Sequence, residues 1–309
     1  DRPLMEEALR GGVTAINHAA ILWENFRVGI DRITEWHRLF DDNADIVMPI
    51  RTVADIHTAK AARKLGIIMG WQNTSPLEDR LDYLPIFKTL GIGIMQLTYN
   101  TLNLVGSGCW ETRDSGLSDF GREVIEEMNA AGILIDLSHV GDRTTLEAID
   151  LSEMPVAITH ANARAYHDHP RNKTDEVLKL LVEKNGVVGS TAITAFLRTG
   201  TKSTVDDYVD AIDDLVERVG IDHVGVGTDY TQDQPESFWK YITSQQGTKY
   251  PSTYSRAWAG PAEMANDTTL YPKDLEVPDK FQRSFALGYQ VQMRPDFGRI
   301  FVRVGLGIG

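Results

Sequence analysis

The chain has little cysteine, few positive charges and no long apolar run. Cys109 is the only cysteine among 309 residues, so no disulfide can form within the chain. No stretch of roughly eighteen apolar residues is present, which argues against a membrane-spanning helix. Lys and Arg number 31 against 44 Asp and Glu, a net charge of −13, which argues against nucleic acids and anionic membranes as partners. With no leader segment at the start, we expect a cytoplasmic protein.

Short apolar runs alternate with amphipathic helical patterns through most of the chain. Strict alternation of this kind predicts a parallel sheet with helices outside it. The runs are continuously apolar, which is typical of strands buried on both faces. The predicted strands are residues 12–17, 66–71, 92–98, 132–138, 155–159, 186–191 and 223–228. The predicted helices include residues 52–65, 76–90, 118–131, 142–151, 174–184 and 204–219.

The number of strands favours a (β/α)8 TIM barrel. Seven predicted strands are one fewer than such a barrel requires, and a missing strand would leave unpaired edges in the core. The opening segment "DRPLMEEALRGG" has the pattern of a helix that follows a strand. We therefore expect a single barrel domain over residues 1–309, with its first strand upstream of Asp1. The alternative is an open doubly wound sheet, but no glycine-rich phosphate loop follows any strand.

The segment 231–279 lacks helix or strand periodicity and is rich in Trp, Tyr, Pro and Gly. Loops of this length inside a compact domain usually carry function or form an interface. We expect a lid over the strand ends or a subunit contact, which would make the protein a homodimer. The alternative, that these aromatic residues pack on the barrel's own surface, stays open.

Polar residues follow the predicted strands, where the active site of a barrel lies. His139 ends "GILIDLSH" and His160 ends "PVAITH", so they follow consecutive strands. Neighbouring strands lie about 4.8 Å apart, so both imidazoles can reach one metal ion. A histidine satisfied by core hydrogen bonds is the usual explanation for either one alone. The full polar ring comprises His18, Gln72, Asn73, Tyr99, Asn100, His139, His160 and Asp229.

Two further charged residues are candidates for chemistry. Asp229 follows the last predicted strand in "DHVGVGTD" and could act as a general base; the alternative is a structural aspartate that caps the next turn. Arg171 in "HPRN" could clamp a substrate carboxylate through two hydrogen bonds; the alternative is a solvated loop arginine. We expect His167 and His169, in the same loop, to be exposed.

Four segments in order resemble the membrane (renal-type) dipeptidase family, peptidase family M19. They are "GLSDFGREVIEEMNAAGILIDLSHVGDRT", "MPVAITHANARA", "HPRNKTDEVLKLL" and "GIDHVGVGTD", and the resemblance runs from about Gly66 to Asp229. The resemblance implies a (β/α)8 TIM barrel of the metal-dependent hydrolase type, with a two-zinc centre that hydrolyses dipeptides. It also implies that His139 and His160 bind the second metal, that Arg171 binds the substrate carboxylate and that Asp229 is the catalytic aspartate.

The sequence departs from this family at its metal ligands. The family's His-x-Asp pair on the first strand has no counterpart, its bridging glutamate falls on Gln72 in "GWQN", and the histidine of its "LTHN" falls on Tyr99 in "LTYN". A neutral carboxamide cannot offset the charge of two cations. The chain is similar to a bacterial side branch with altered ligands. We predict at most one zinc or other divalent ion, bound by His139 and His160.

These residues together predict a metal-assisted hydrolase of a small amide, either a dipeptide or an N-acyl amino acid. Asp229 and Tyr99 would be catalytic, the first moving protons and the second donating to the oxyanion. Arg171, Gln72 and Asn100 would bind the small-molecule substrate. The alternative is a barrel that has lost the two-zinc centre and acts as a non-peptidase enzyme or a small-molecule binding protein. A His-x-Asp pair at the end of the first strand would favour the hydrolase.

Overall fold

The computed structural model describes residues 2–230, together with the short segments Tyr289–Gln292 and Arg303–Leu306. The segment 231–279, predicted as a lid or interface, lies outside the described residues. A single domain over residues 1–309 and a homodimer both stay predictions. Within the described part of the chain, no helix is long and apolar enough to cross a membrane.

Residues 2–230 form an α/β structure around one curled parallel sheet. Its eight strands are β1 Ala15–Ile21, β2 Val47–Pro49, β3 Leu65–Trp71, β4 Ile92–Gln96, β5 Leu134–Asp136, β6 Ala157–Ile158, β7 Val187–Ser190 and β8 Val224–Val226. They pair in the order β1-β3-β4-β5-β6-β7-β8, and β2 pairs with β3. Tyr289–Gln292 and Arg303–Leu306 form a separate antiparallel pair, β9 and β10. The predicted α/β class and parallel, barrel-like sheet are confirmed.

Helices separate the parallel strands. They are α1 Arg2–Arg10, α2 Phe26–Asp42, α3 Val53–Ala62, α4 Tyr83–Leu90, α5 Asp119–Ala131, α6 Asp142–Leu151, α7 Asp175–Glu183 and α8 Val205–Val219. Local sequence sets several of their ends. Ser118 begins α5 by accepting a hydrogen bond at 2.9 Å from the Gly121 amide. Gly91 and Gly132 end α4 and α5 in the left-handed conformation that glycine adopts freely.

Four elements differ from the sequence prediction. β2 and α2 were not predicted; β2 has three residues and ends in proline, so it is too short to show a period. β1 covers Ala15–Ile21 instead of residues 12–17, which moves His18 from the strand end to its middle. The predicted helix 76–90 is a 3-10 turn at Ser75–Leu77 followed by α4.

Strands β3 to β7 are largely buried on both faces, as their continuously apolar sequences predict, whereas β1 exposes Ile16, Asn17 and His18. On the helix side, alternate residues of β3 pack with side chains such as Phe87, which meets Trp71 edge-on with ring centroids 4.4 Å apart. A second cluster includes Ile68, Ile94, Leu134 and Ala157, one from each of four neighbouring strands. These two layers hold the carboxyl ends of the strands in place.

Candidate active site

Three potential metal ligands converge at the carboxyl ends of β5, β6 and β8. His139 and His160 are buried, and Asp229 is partly buried. Their ligand atoms all lie within 4.8 Å of one another. The Nε2 atoms of the two histidines are 2.9 Å apart. His139 and His160, which follow consecutive strands in the sequence, therefore direct their imidazole rings to the same point, next to the Asp229 carboxylate.

Hydrogen bonds to the other ring nitrogens set the tautomer of both histidines. The Nδ1 of His139 lies 2.6 Å from Oδ1 of Asn100, an acceptor. The Nδ1 of His160 lies 2.8 Å from Oγ1 of Thr159, whose own hydrogen goes to Oδ2 of Asp136 at 2.7 Å. Each Nδ1 therefore carries the hydrogen, and each Nε2 presents a lone pair to the same point.

The electrostatic surroundings keep both rings neutral. Burial, followed by the positive charge of Arg171, lowers the pKa of His139 and of His160 well below 6.5. Two neutral imidazoles with facing lone pairs repel each other unless a cation lies near them. Neutral imidazole and carboxylate are also the protonation states that bind divalent metals. The donor set of two histidines and one aspartate therefore fits zinc or a similar ion.

Asp229 is held in an unusual conformation and environment. Its φ angle is +60°, in the left-handed region. Burial raises the pKa of its carboxyl to about 6, although the charge of Arg171 and a hydrogen bond from Gln72 oppose that rise. A carboxyl group with this pKa can both accept and release a proton near neutral pH.

Two uncharged residues, Gln72 and Tyr99, lie beside the two histidines. The Nε2 of Gln72 is 3.4 Å from the Nε2 of His160. The ring of Tyr99 stacks on the imidazole of His139, with centroids 4.3 Å apart and planes at 24°. Trp23 meets the other side of Tyr99 edge-on at 4.7 Å. Gln72 and Tyr99 thus occupy the space beside the ligand cluster with uncharged groups.

Asn100 is buried, with a φ of +64°. Its Oδ1 accepts from His139, whereas its Nδ2 has no hydrogen-bond partner among the described residues. A buried donor left in this state costs about 1–3 kcal/mol. Asn100 therefore both orients His139 and retains a free donor at the site.

Arg171 is only 1% exposed, so the alternative of a solvated loop arginine is wrong. Its guanidinium donates to the backbone carbonyls of Ser138 and of His160, the latter at 3.0 Å, and lies over the ring of Phe196. These contacts fasten the backbone that carries the two histidines. A role towards a substrate carboxylate stays a prediction.

Two other expectations, both for histidines, are wrong. His169 is buried rather than exposed, and its Nδ1 accepts from the Arg171 amide at 3.2 Å. His18 lies in the middle of β1 rather than at its end, and its ring packs against Trp36 of α2 with centroids 4.5 Å apart and planes at 54°. Asn73 is buried in loop contacts, where its Oδ1 accepts from the Thr74 amide at 2.9 Å.

Several buried polar residues that support the site were not predicted. Asp136, Ser138 and Thr159 form a hydrogen-bonded group behind the histidines. The signal that could have found them is a carboxylate at the end of an apolar strand, three residues before His139 in "DLSH". Lys173 is also fully buried; it donates to the Val140 carbonyl at 2.8 Å, and burial lowers its pKa to about 8.

Glycines let neighbouring strands approach the backbone of the site. A Cβ built on Gly189 would lie 2.1 Å from the carbonyl oxygen of Thr159, and one built on Gly227 would lie 1.8 Å from the same oxygen. Neither distance is sterically allowed, so only glycine fits at these positions of β7 and of the segment after β8. The carbonyl of Thr159, one residue before His160, is thereby enclosed by two strands.

Comparison with known proteins gives one consistent family. The model of membrane dipeptidase, peptidase family M19, matches residues 4–242. Dipeptidase tcpJ of Claviceps purpurea is 31% identical over 70% of this chain and 50% of its own length. The chain spans about half the length of the curated relatives it matches.

Solved structures share the fold. An amidohydrolase from Pseudomonas aeruginosa is 41% identical with a TM-score of 0.83, over 92% of this chain and 84% of that one. A metallo peptidase from Rhodobacter sphaeroides, liganded with a phosphinate mimic of L-Ala-D-Ala, is 21% identical with a TM-score of 0.69. That likeness covers 88% of this chain and 90% of the other, and it concerns the fold alone.

Proposed function

Because the chain belongs to the membrane dipeptidase family, peptidase family M19, we propose that it is a metal-dependent, dipeptidase-like hydrolase of small amides. The observation that carries the proposal is the convergence of two imidazole lone pairs and the Asp229 carboxylate at one point. His139, His160 and Asp229 would hold one divalent ion. When bound, such an ion polarises a carbonyl and lowers the pKa of water.

The site residues supply the remaining functions. Through the oxygen that does not bind the ion, the Asp229 carboxylate would accept a proton from the attacking water and pass it to the leaving amine. The unpaired Nδ2 of Asn100 donates to the substrate amide. Gln72 contacts the scissile group, and Tyr99 donates to the oxyanion. Arg171 places a positive charge near the histidines, where it attracts a substrate carboxylate.

We infer that at most one ion binds. Gln72 and Tyr99 stand where the family implies a bridging glutamate and a histidine, and neither carries a negative charge. Within the described residues, His139, His160 and Asp229 form the one cluster of three potential ligands. One carboxylate offsets part of the charge of one divalent ion but not of two. Zinc is our first choice, since two imidazoles and a carboxylate suit it.

The test combines metal analysis with an activity panel. The purified 309-residue protein, incubated with Zn²⁺ or Mn²⁺, should bind no more than one equivalent and hydrolyse members of a panel of L,L and L,D dipeptides and N-acyl amino acids. L,D dipeptides belong in the panel because the Rhodobacter sphaeroides neighbour holds a mimic of one. His160→Ala should lose both metal and activity, whereas the exposed His57→Ala should lose neither.

Gln72 and Tyr99 also favour a second candidate, a non-peptidase enzyme or small-molecule binding protein on the same barrel. Metal binding without turnover across the panel would support this candidate against the dipeptidase. Two tightly bound equivalents would show that further ligands exist. The cytoplasmic location stays a prediction.

A further inference from the structure

Behind the histidines lies a carboxylate that touches neither of them. Asp136 ends β5 and is 2% exposed. Its Oδ1 accepts from the amide and the hydroxyl of Ser138, at 3.0 and 2.6 Å, and from the amide of Thr159 at 3.0 Å. Its Oδ2 accepts from the hydroxyl of Thr159 at 2.7 Å. Asp136 thus joins the end of β5 to the segment after β6.

The hydroxyl hydrogens in this group have little freedom. Ser138 Oγ and Thr159 Oγ1 lie 3.1 Å apart, and each has one hydrogen. Both hydroxyls lie within 2.7 Å of a carboxylate oxygen, and hydrogen bonds to a carboxylate are stronger than those between neutral groups. Both hydrogens therefore go to Asp136. The oxygen of Thr159 is left as an acceptor, and it faces Nδ1 of His160.

We propose that Asp136 is a positioning residue that acts through Thr159 to keep the hydrogen of His160 on Nδ1. The proposal rests on the proposed metal-dependent function, since a ring with its hydrogen on Nδ1 leaves Nε2 free to bind the ion. Ser138 assists by accepting from the His160 amide at 3.0 Å, which fixes the backbone of that residue. Carboxylates commonly orient metal-binding histidines directly; here a threonine hydroxyl stands between them.

Exchanging the carboxylate for an amide should reverse this arrangement. In Asp136→Asn, an NH₂ group in the place of Oδ2 would donate to Thr159 Oγ1. The hydroxyl of Thr159 would then donate its own hydrogen to Nδ1 of His160. The ring would carry its hydrogen on Nε2, where it blocks metal binding. Thr159→Val removes the hydroxyl and keeps the branched shape, whereas Thr159→Ser keeps the hydroxyl.

The first measurement is the tautomer of His160 in the full-length protein after removal of metal by a chelator. Long-range ¹H–¹⁵N correlation spectra of ¹⁵N-histidine-labelled protein distinguish the two tautomers, and His160→Gln identifies the signal. We expect hydrogen on Nδ1 in the wild type and in Thr159→Ser, and hydrogen on Nε2 in Asp136→Asn and Thr159→Val. Hydrogen on Nε2 in the wild type, or on Nδ1 in Thr159→Val, would overturn the proposal.

The second measurement is zinc affinity, by competition with a chromophoric chelator. Thr159→Val should weaken zinc binding about 10–100-fold, the range typical of groups that orient metal ligands. Thr159→Ser should restore it to within about threefold of wild type. Thr98→Val, another buried threonine near His139, controls for the loss of a hydroxyl. Equal losses in Thr98→Val and Thr159→Val would indicate a merely structural effect and refute the proposal.

The two measurements separate this proposal from the proposed function. A wild-type protein that binds no zinc contradicts the metal-dependent function, but the tautomer spectra, recorded without metal, still decide the role of Asp136. If Asp136→Asn fails to fold, Thr159→Val and Thr159→Ser carry the test by themselves.

Discussion

Gln72→Glu should destabilise the metal-free protein, and more strongly as the pH rises. Gln72 donates to the Asp229 carboxylate and lowers its pKa, so the exchange replaces a donor by a second carboxylate. Two like charges about 4 Å apart repel by about 4 kcal/mol at an effective dielectric constant of about 20. Protonating a carboxyl group with the pKa of Asp229, about 6, costs about 3 kcal/mol at pH 8. The loss of stability cannot exceed the protonation cost, which is the smaller of these two energies, because one of the two carboxyl groups takes up a proton when the repulsion would cost more.

We therefore expect the free energy of unfolding to fall by about 3 kcal/mol at pH 8 and by less than about 1 kcal/mol at pH 6. The folded variant holds a proton that the unfolded chain has already released above pH 5, so its stability decreases as the pH rises. Urea unfolding in the presence of a chelator, at both pH values, measures the change. Gln72→Met, which removes the donor without adding charge, is the control.

Zinc should reverse the effect, because a divalent cation attracts both carboxylates. Gln72→Glu should then gain more stability from added zinc than the wild type does. A loss that is the same at pH 6 and pH 8, or the same in Gln72→Met, would refute the electrostatic reasoning.

Three further predictions follow from the site. Zinc affinity should fall as the pH drops through about 6, because Asp229 takes up a proton there while the histidines stay neutral; a competition titration that is flat between pH 5 and 7 would contradict this. Arg171→Met should raise KM about tenfold or more for dipeptides, because a charge-assisted pair is worth about 1.5–3 kcal/mol, and should change little for dipeptide amides; an unchanged KM would leave Arg171 only its backbone contacts. Gly227→Ala should destabilise the protein by about 1–3 kcal/mol through overlap with the Thr159 carbonyl. Gly93→Ala should have a smaller effect in the same urea titration, because its Cβ would lie 3.2 Å from Cγ2 of Ile68 and 4.0 Å from the Met69 carbonyl oxygen.

The sequence predicts the parallel sheet well because strands β3 to β7 are largely buried on both faces and appear as continuous apolar runs. That pattern alone places His139 and His160 after neighbouring strands. The three residues of β2 are too few to show a period. The shifted start of β1 depends on its pairing with β3, which aligns His18 with Met69 and is not visible in β1 itself.

The residues that hold the site in place were harder to predict, because their contacts join parts of the chain that are distant in the sequence. Asp136 accepts hydrogen bonds from Ser138, after β5, and from Thr159, after β6. The residues next to Asp136 in the sequence do not indicate that Thr159 is a partner. The burial of Arg171 depends on how an irregular loop folds back under the strand ends, and such loops lack periodicity. Charged residues in loops are usually solvated, so sequence alone does not show that this side chain is buried.

The left-handed backbone at Asn100 and Asp229 bears on how this site can evolve. Aspartate, asparagine and glycine adopt such angles readily, whereas longer side chains are strained there by about 1–2 kcal/mol. Single mutations can therefore exchange carboxylate and carboxamide at position 229, but a longer acidic side chain is disfavoured. Gln72 and Tyr99 are absent from the described positive-φ positions. Gln72 and Tyr99 are thus positions whose backbone tolerates many side chains, so that divergence of the chemistry is easier there than at Asn100 or Asp229.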